Sequence, residues 1–98
     1  MQLRYSRYVR SDLDTIWDTI APHGVFTADA WLDQIEARFA HLLQFPYSAP
    51  IHSGIAANAR ALVVERWLVI YSVTSDSVDI IRVVDGARDL SRLDLPTD

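Results

Sequence analysis

Between residues 11 and 45 the apolar positions recur at helical intervals, and beyond residue 59 they alternate as strands do. A short first strand is expected where Leu3 and Tyr5 alternate with Arg4 and Ser6. Ser11 then reads as an N-cap, with Asp14 completing a variant of the capping box. Leu13, Ile16, Trp17 and Ile20 follow on one helical face, and Asp12, Asp14 and Asp18 are expected to face water. Pro22-His23-Gly24 ends that helix. Thr27 reads as the cap of a second, longer helix, with Phe26 placed to staple against Trp31. Its apolar stripe is Ala28, Trp31, Leu32, Ile35, Phe39, Leu42 and Leu43, closed by Phe45-Pro46. A connection this short makes an antiparallel helical hairpin.

The stretch from Tyr47 to Ala59 is rich in Pro, Ser, Gly and Ala and carries no period. Three runs of β-branched and aromatic residues follow, at 60–65, 67–73 and 78–84, broken at Glu65-Arg66 and at Thr74-Ser75-Asp76-Ser77. They predict a three-stranded antiparallel meander. The order β-α-α-β-β-β is an α+β fold, with a mostly antiparallel sheet packed on the helical hairpin. Both faces of the last two strands are apolar: Trp67, Val69, Tyr71 and Val73 alternate with Leu68 and Ile70, and Val78, Ile80 and Val84 with Ile81 and Val83. One hairpin covers one face. The other needs the tail, with Leu90, Leu93 and Leu95, or another chain. An exposed apolar strip over 62–64, 67–73 and 78–84, buried by a partner, is therefore expected.

Length confines the chain to a single domain spanning 1–98, since 98 residues cannot build two cores. Half the residues are apolar and 22% are charged, which excludes a disordered or fibrous chain. The lack of cysteine rules out a disulfide scaffold, a thiolate zinc site and a cysteine nucleophile, and fits a reducing cytoplasm. Nine cations, all arginine, stand against thirteen carboxylates, a net charge of −4 that argues against sequence-specific nucleic-acid binding. No signal peptide and no run long enough to span a membrane is visible.

Candidate chemistry is sparse. His23, His41 and His52 have no metal-ligand spacing, and no glycine-rich phosphate loop or nucleophile elbow is present, so no cofactor is expected. Arg82 sits on an apolar strand; either it meets an anion or partner, or it pairs internally with Asp85, Asp89 or Glu65. Arg60 opens a strand and can face solvent. Arg88-Asp89 reads as a local ion pair. Trp67, at a strand start, is either core or a partner contact.

Three blocks, DLDTIWDTIA, ADAWLDQIEARFAHLLQFP and ARALVVERWLVIYSVTSDSVDIIRVVDGARDL, together resemble the successive motifs of the RelE/ParE toxin superfamily. The resemblance implies the toxin of a bacterial type II toxin–antitoxin module, neutralised by a partly disordered, ParD-like antitoxin that wraps its apolar surface. RelE-like members cut mRNA on the ribosome; ParE-like members poison DNA gyrase without cutting nucleic acid. Arg60, Arg82 and Arg88 match arginines of the superfamily pattern, but its usual histidine is Asp85, and Ser72 follows Tyr71 where an arginine is common. RNA cleavage needs a general base, a general acid and cations for the phosphorane charge. Arg60, Arg82 and Tyr71 are the only candidates for that work, and they lack an acid/base pair. The ParE-like branch is therefore favoured, with Arg60, Trp67, Tyr71, Arg82, Asp85 and Arg88 as candidate partner contacts. The alternatives are a ribosome-dependent endoribonuclease and a degenerate, non-toxic antitoxin-binding domain.

Overall fold

The computed structural model describes residues 1–96; residues 97 and 98 lie outside the described part of the predicted domain. The elements run β1 (Gln2–Tyr5), α1 (Val9–Ile20), a 3₁₀ turn (Ala21–His23), α2 (Val25–Gln44), β2 (Arg60–Val64), β3 (Trp67–Val73), β4 (Ser77–Asp85) and a second 3₁₀ turn (Leu90–Arg92). The sheet order is β1-β4-β3-β2, with β2, β3 and β4 forming the antiparallel meander and β1 lying parallel to β4. The α+β architecture and the order of elements follow the periodicity of the chain.

Both helix starts differ from the capping patterns. Helix α1 begins at Val9, before Ser11, because Val9 is a buried core residue that the first turn must carry inward. No side chain caps α1; Ser6, just before it, shapes the turn that enters it, its hydroxyl accepting the Tyr8 N–H at 3.2 Å and donating to the Ile81 carbonyl at 2.5 Å. Helix α2 begins at Val25 after Gly24, whose φ of 147° lies in a region that side chains rarely adopt. Thr27 is thus inside the helix, and Phe26 is 90% exposed instead of stapled to Trp31.

The sheet separates the main core from a small apolar cluster on its other face. On the helical side, Trp31, Ile35, Phe39 and Leu42 of α2 and Val9 and Ile16 of α1 pack on Val69, Tyr71, Val78, Ile80 and Val83. Burying each such large side chain contributes about 1.5–3 kcal/mol. On the opposite side a smaller cluster joins Ile70 and Val84 to Ala59 and Leu93, with Leu68, Ile81, Leu90 and Leu95 at its margin. The predicted exposed strip is therefore corrected: the C-terminal segment and the loop before β2 cover the second face, and Ile70 is fully buried. Of the two covers the pattern allowed for that face, it is the tail, through Leu90, Leu93 and Leu95, that packs there. Apolar exposure survives on β2 at Val63, on the preceding loop at Tyr47 and Ile51, and at Phe26 and Phe45 beside the helix ends.

A register step decides where Arg82 points. Ile70 lies opposite Arg82 and Tyr71 opposite Ile80, which leaves Ile81 without a partner in β3. This β-bulge breaks the two-residue alternation. Arg82 shares the face of Ile70 and Val84, not that of Ile80.

The β2–β3 connection is two residues long, because Val64 pairs with Trp67. Glu65 adopts a φ of 57° there, a left-handed conformation that is costly for a side-chain-bearing residue. Glu65→Gly is expected to raise the unfolding free energy by ~1 kcal/mol in urea titration; an unchanged or lower midpoint would show that the turn is not strained.

Candidate functional site

Arg82 is buried, and its partner is a residue that the helical pattern placed in water. The Asp12 carboxylate accepts from Arg82 Nε and Nη2, both at 2.8 Å, in a two-pronged pair. It also accepts the Val83 backbone N–H at 3.0 Å. That amide lies on the edge of β4 beyond the end of β1, where no strand satisfies it. Arg82 Nη1 donates to the Asp94 carbonyl at 2.7 Å, and the guanidinium lies 4.7 Å from the centre of the Tyr8 ring. The hydrogen bond to Asp12 raises the guanidinium pKa above its already high value, outweighing desolvation. The internal partner is thus Asp12, not Asp85, Asp89 or Glu65, and Asp12 does not face water. A buried strand arginine signals that some carboxylate must approach; the sequence pattern lacked the bulge that selects Asp12.

Tyr71 and Arg60 form a second constellation, directly opposite each other on β3 and β2. The fully buried Tyr71 donates its hydroxyl to the Pro46 carbonyl at 2.8 Å and accepts the Ala49 N–H at 3.3 Å. Arg60 Nη1 donates to the Ala49 carbonyl at 2.7 Å and stacks 4.9 Å from the Tyr47 ring. Both side chains anchor the irregular loop after α2, whose backbone groups have no regular ladder to satisfy them. Tyr71 contacts that loop, and Arg82 contacts α1 and the C-terminal segment; among the described residues they bond no shared partner. They do not assemble a phosphate-binding centre.

The remaining candidates lie at the far end of β3 and β4. Trp67 is buried between two neighbours, the Arg66 guanidinium 4.5 Å from its ring centre and the Trp31 ring, packed in a T-shaped arrangement with the ring centres 6.0 Å apart. Arg66 Nη2 also donates to Asp85 at 2.6 Å. The Ala87 N–H and then Arg66 hold the Asp85 carboxyl below its usual pKa. Its stabilising effect is therefore present above the ordinary carboxylate range and lost as pH falls through the depressed value. Gly86 fits here because its N–H reaches the Arg66 carbonyl at 2.8 Å, and a Cβ would lie 3.1 Å from that oxygen. Arg88 is exposed and has no ion pair with Asp89, which bonds Ser91 and approaches Arg92 instead.

A groove of about 630 Å³ runs between the helices and β1, with Tyr5, Val9, Leu13, Trp17, Leu32 and Phe39 in its walls. Asp14, Glu36 and Arg10 supply its charges. Trp17 Nε1 donates to Asp29 at 2.9 Å and ties the two helices together. Among the described residues no three His, Cys, Asp or Glu side chains cluster as metal ligands, and no helix is long and apolar enough to cross a membrane.

The sequence profile described as "ParE toxin of type II toxin-antitoxin system, parDE" matches residues 3–90. The chain belongs to the ParE toxin family. It is 33% identical over 87 residues to Toxin ParE3 of Caulobacter vibrioides, an alignment covering 88% of this chain and 87% of that protein. The fold is similar to a chain of the chromosomal ParDE system from P. aeruginosa, with a TM-score of 0.75 at 22% identity, covering 87% and 95% of the two chains. The three motif blocks therefore lead to the family they resemble, and to a toxin of the type II toxin–antitoxin class.

In this ParE toxin the Asp12–Arg82 pair is a structural joint. Asp12→Ala is expected to lower the unfolding free energy by about 3–5 kcal/mol, since it strands a buried cation. Asp12→Leu with Arg82→Met should recover only part of that loss in the same denaturant titration, because the Val83 N–H and the Asp94 carbonyl still lose their partners. A loss below ~1 kcal/mol for the single variant would contradict the structural role.

Proposed function

We propose that the protein acts by binding DNA gyrase and halting supercoiling, without cutting nucleic acid, and that a ParD-like antitoxin neutralises it in the cytoplasm. One observation carries this reading: each side chain that an RNA-cleaving centre would need is already committed to the fold. Tyr71 has both a donor and an acceptor partner in the loop after α2, and Arg82 is held by Asp12. Arg60 is bonded to Ala49. A buried tyrosine and a neutralised arginine cannot serve as a general acid and a phosphate clamp without dismantling the packing around them. A toxin with no such centre works by occupying its target.

The groove between the helices and β1 suits an amphipathic antitoxin helix, which would lay its apolar face on Leu13, Trp17, Leu32 and Phe39. Asp14 and Glu36 on the walls favour basic residues at its margin, where charge mainly speeds association. Of the residues first considered as partner contacts, Asp85 and Arg88 remain accessible for the target, whereas Trp67, Tyr71 and Arg82 are buried.

Purified gyrase tested with stoichiometric toxin should lose supercoiling and accumulate broken DNA, and added antitoxin should restore activity. Primer extension on cellular mRNA after induction should show no codon-positioned cuts. Normal supercoiling together with such cuts would establish the endoribonuclease instead; growth unaffected by overexpression would indicate a non-toxic binding domain.

A further inference from the structure

The segment after β4 lies over the second face of the sheet on slender attachments. Its first turn is fixed: the Gly86 N–H donates to the Arg66 carbonyl at 2.8 Å, and Asp85 accepts the amides of Ala87 and Arg88. Beyond Arg88 the segment bonds chiefly to itself. Asp89 accepts from the Ser91 amide and hydroxyl, and the Arg92 and Leu93 amides reach the carbonyls of Asp89 and Leu90. Between described residues, one hydrogen bond crosses from 89–96 to the sheet, from Arg82 Nη1 to the Asp94 carbonyl. The rest of the attachment is Leu90, Leu93 and Leu95 on a cluster centred on Ile70 and Val84. Even that contact is incomplete. A cleft of about 310 Å³ lies between Leu95 and Pro96 and the sheet residues Ile70, Ser72 and Ile81, whereas well-packed interiors leave few voids larger than a water molecule.

We infer that residues 89–96 form a hinged strap, which lifts from the sheet as a unit while the rest of the domain stays folded. Local opening belongs to segments with few buried apolar contacts and few hydrogen bonds to the body, and the strap has both properties. The remaining fold has its own support. The main core lies on the opposite face, the β3–β4 ladder runs within the sheet, and Arg82 keeps both of its bonds to Asp12 when Asp94 leaves. The fixed turn at 85–88 is the hinge. Opening uncovers Leu68, Ile70, Ile81 and Val84 as one apolar band, with Arg82 Nη1 freed at its margin. The strap therefore gates an apolar sheet face that the closed molecule hides. This device is separate from the groove assigned to the antitoxin and does not depend on the gyrase reading.

The chain has no cysteine, so an introduced thiol reports the opening without background. Ile70→Cys places one under the strap and Val69→Cys places one in the main core, at adjacent and fully buried positions of β3. Each full-length variant is labelled with a thiol-specific aromatic disulfide at urea concentrations below its own unfolding midpoint. The Ile70→Cys thiol should react through an opening that barely depends on urea, at least ~10-fold faster in water than the Val69→Cys thiol. The Val69→Cys thiol should react only through global unfolding, with the urea dependence of the equilibrium melt. Adding Leu93→Ala, which loosens the strap, should speed labelling of Ile70→Cys about tenfold. Val84→Cys, on the same face, reports the same opening independently and replaces Ile70→Cys if that variant does not fold. Labelling of both faces with the urea dependence of global unfolding would overturn the strap. So would an opening at Ile70→Cys that Leu93→Ala leaves unchanged, because another segment would then be the one that moves.

Discussion

One carboxylate joins helix, sheet edge and C-terminal segment of this small domain. The parallel strand β1 ends opposite Ile80, and the edge of β4 would continue bare beyond it. Asp12, reaching across from the first turns of α1, accepts the Val83 amide there and grips Arg82 with both oxygens. The same guanidinium then holds the Asp94 carbonyl, so helix, sheet edge and C-terminal segment meet at one ion pair. Pairs this buried contribute little net energy compared with apolar substitutes, but breaking one is expensive, which makes them specifiers of arrangement. Here the arrangement specified is the covering of the sheet's second face.

That covering changes what the surface can offer. A sheet apolar on both faces resembles half of an interface, yet Ile70 and Val84 are already buried under Leu93 and Ala59. The apolar area left for partners lies in the groove along β1 and the helices and around Val63, Ile51 and Tyr47. Inhibition by occupancy requires only such surfaces, whereas cleavage requires free titratable groups close together. Tyr71, Arg60 and Arg82 spend their polar atoms on loops and termini that lack a regular backbone ladder.

Elements governed by local periodicity were legible in the chain. The meander, both helices and the core stripe Trp31, Ile35, Phe39 and Leu42 follow from spacing alone. Features fixed by tertiary packing were not. Ser11 and Thr27 have the chemistry of caps, but burial of Val9 and the backbone freedom of Gly24 start each helix three residues earlier. The bulge at Ile81 leaves no sequence signal, and it turns Arg82 to the other face and toward Asp12. With that one residue of register misplaced, a structural ion pair looks like a candidate binding arginine. The matched motif arginines carried the family, while the roles of the residues within it depended on packing.

The central claim is that Asp12 and Arg82 form a joint as stable as the core itself. Native-state hydrogen exchange of the Val83 amide tests it most directly. A strand-edge amide held by a lone side chain would ordinarily open by local fraying. The joint predicts that Val83 exchanges only through global unfolding, with the same free energy as core amides such as Val69 and Ile80. Exchange of Val83 through a local opening, with full protection retained at Val69 and Ile80, would contradict it.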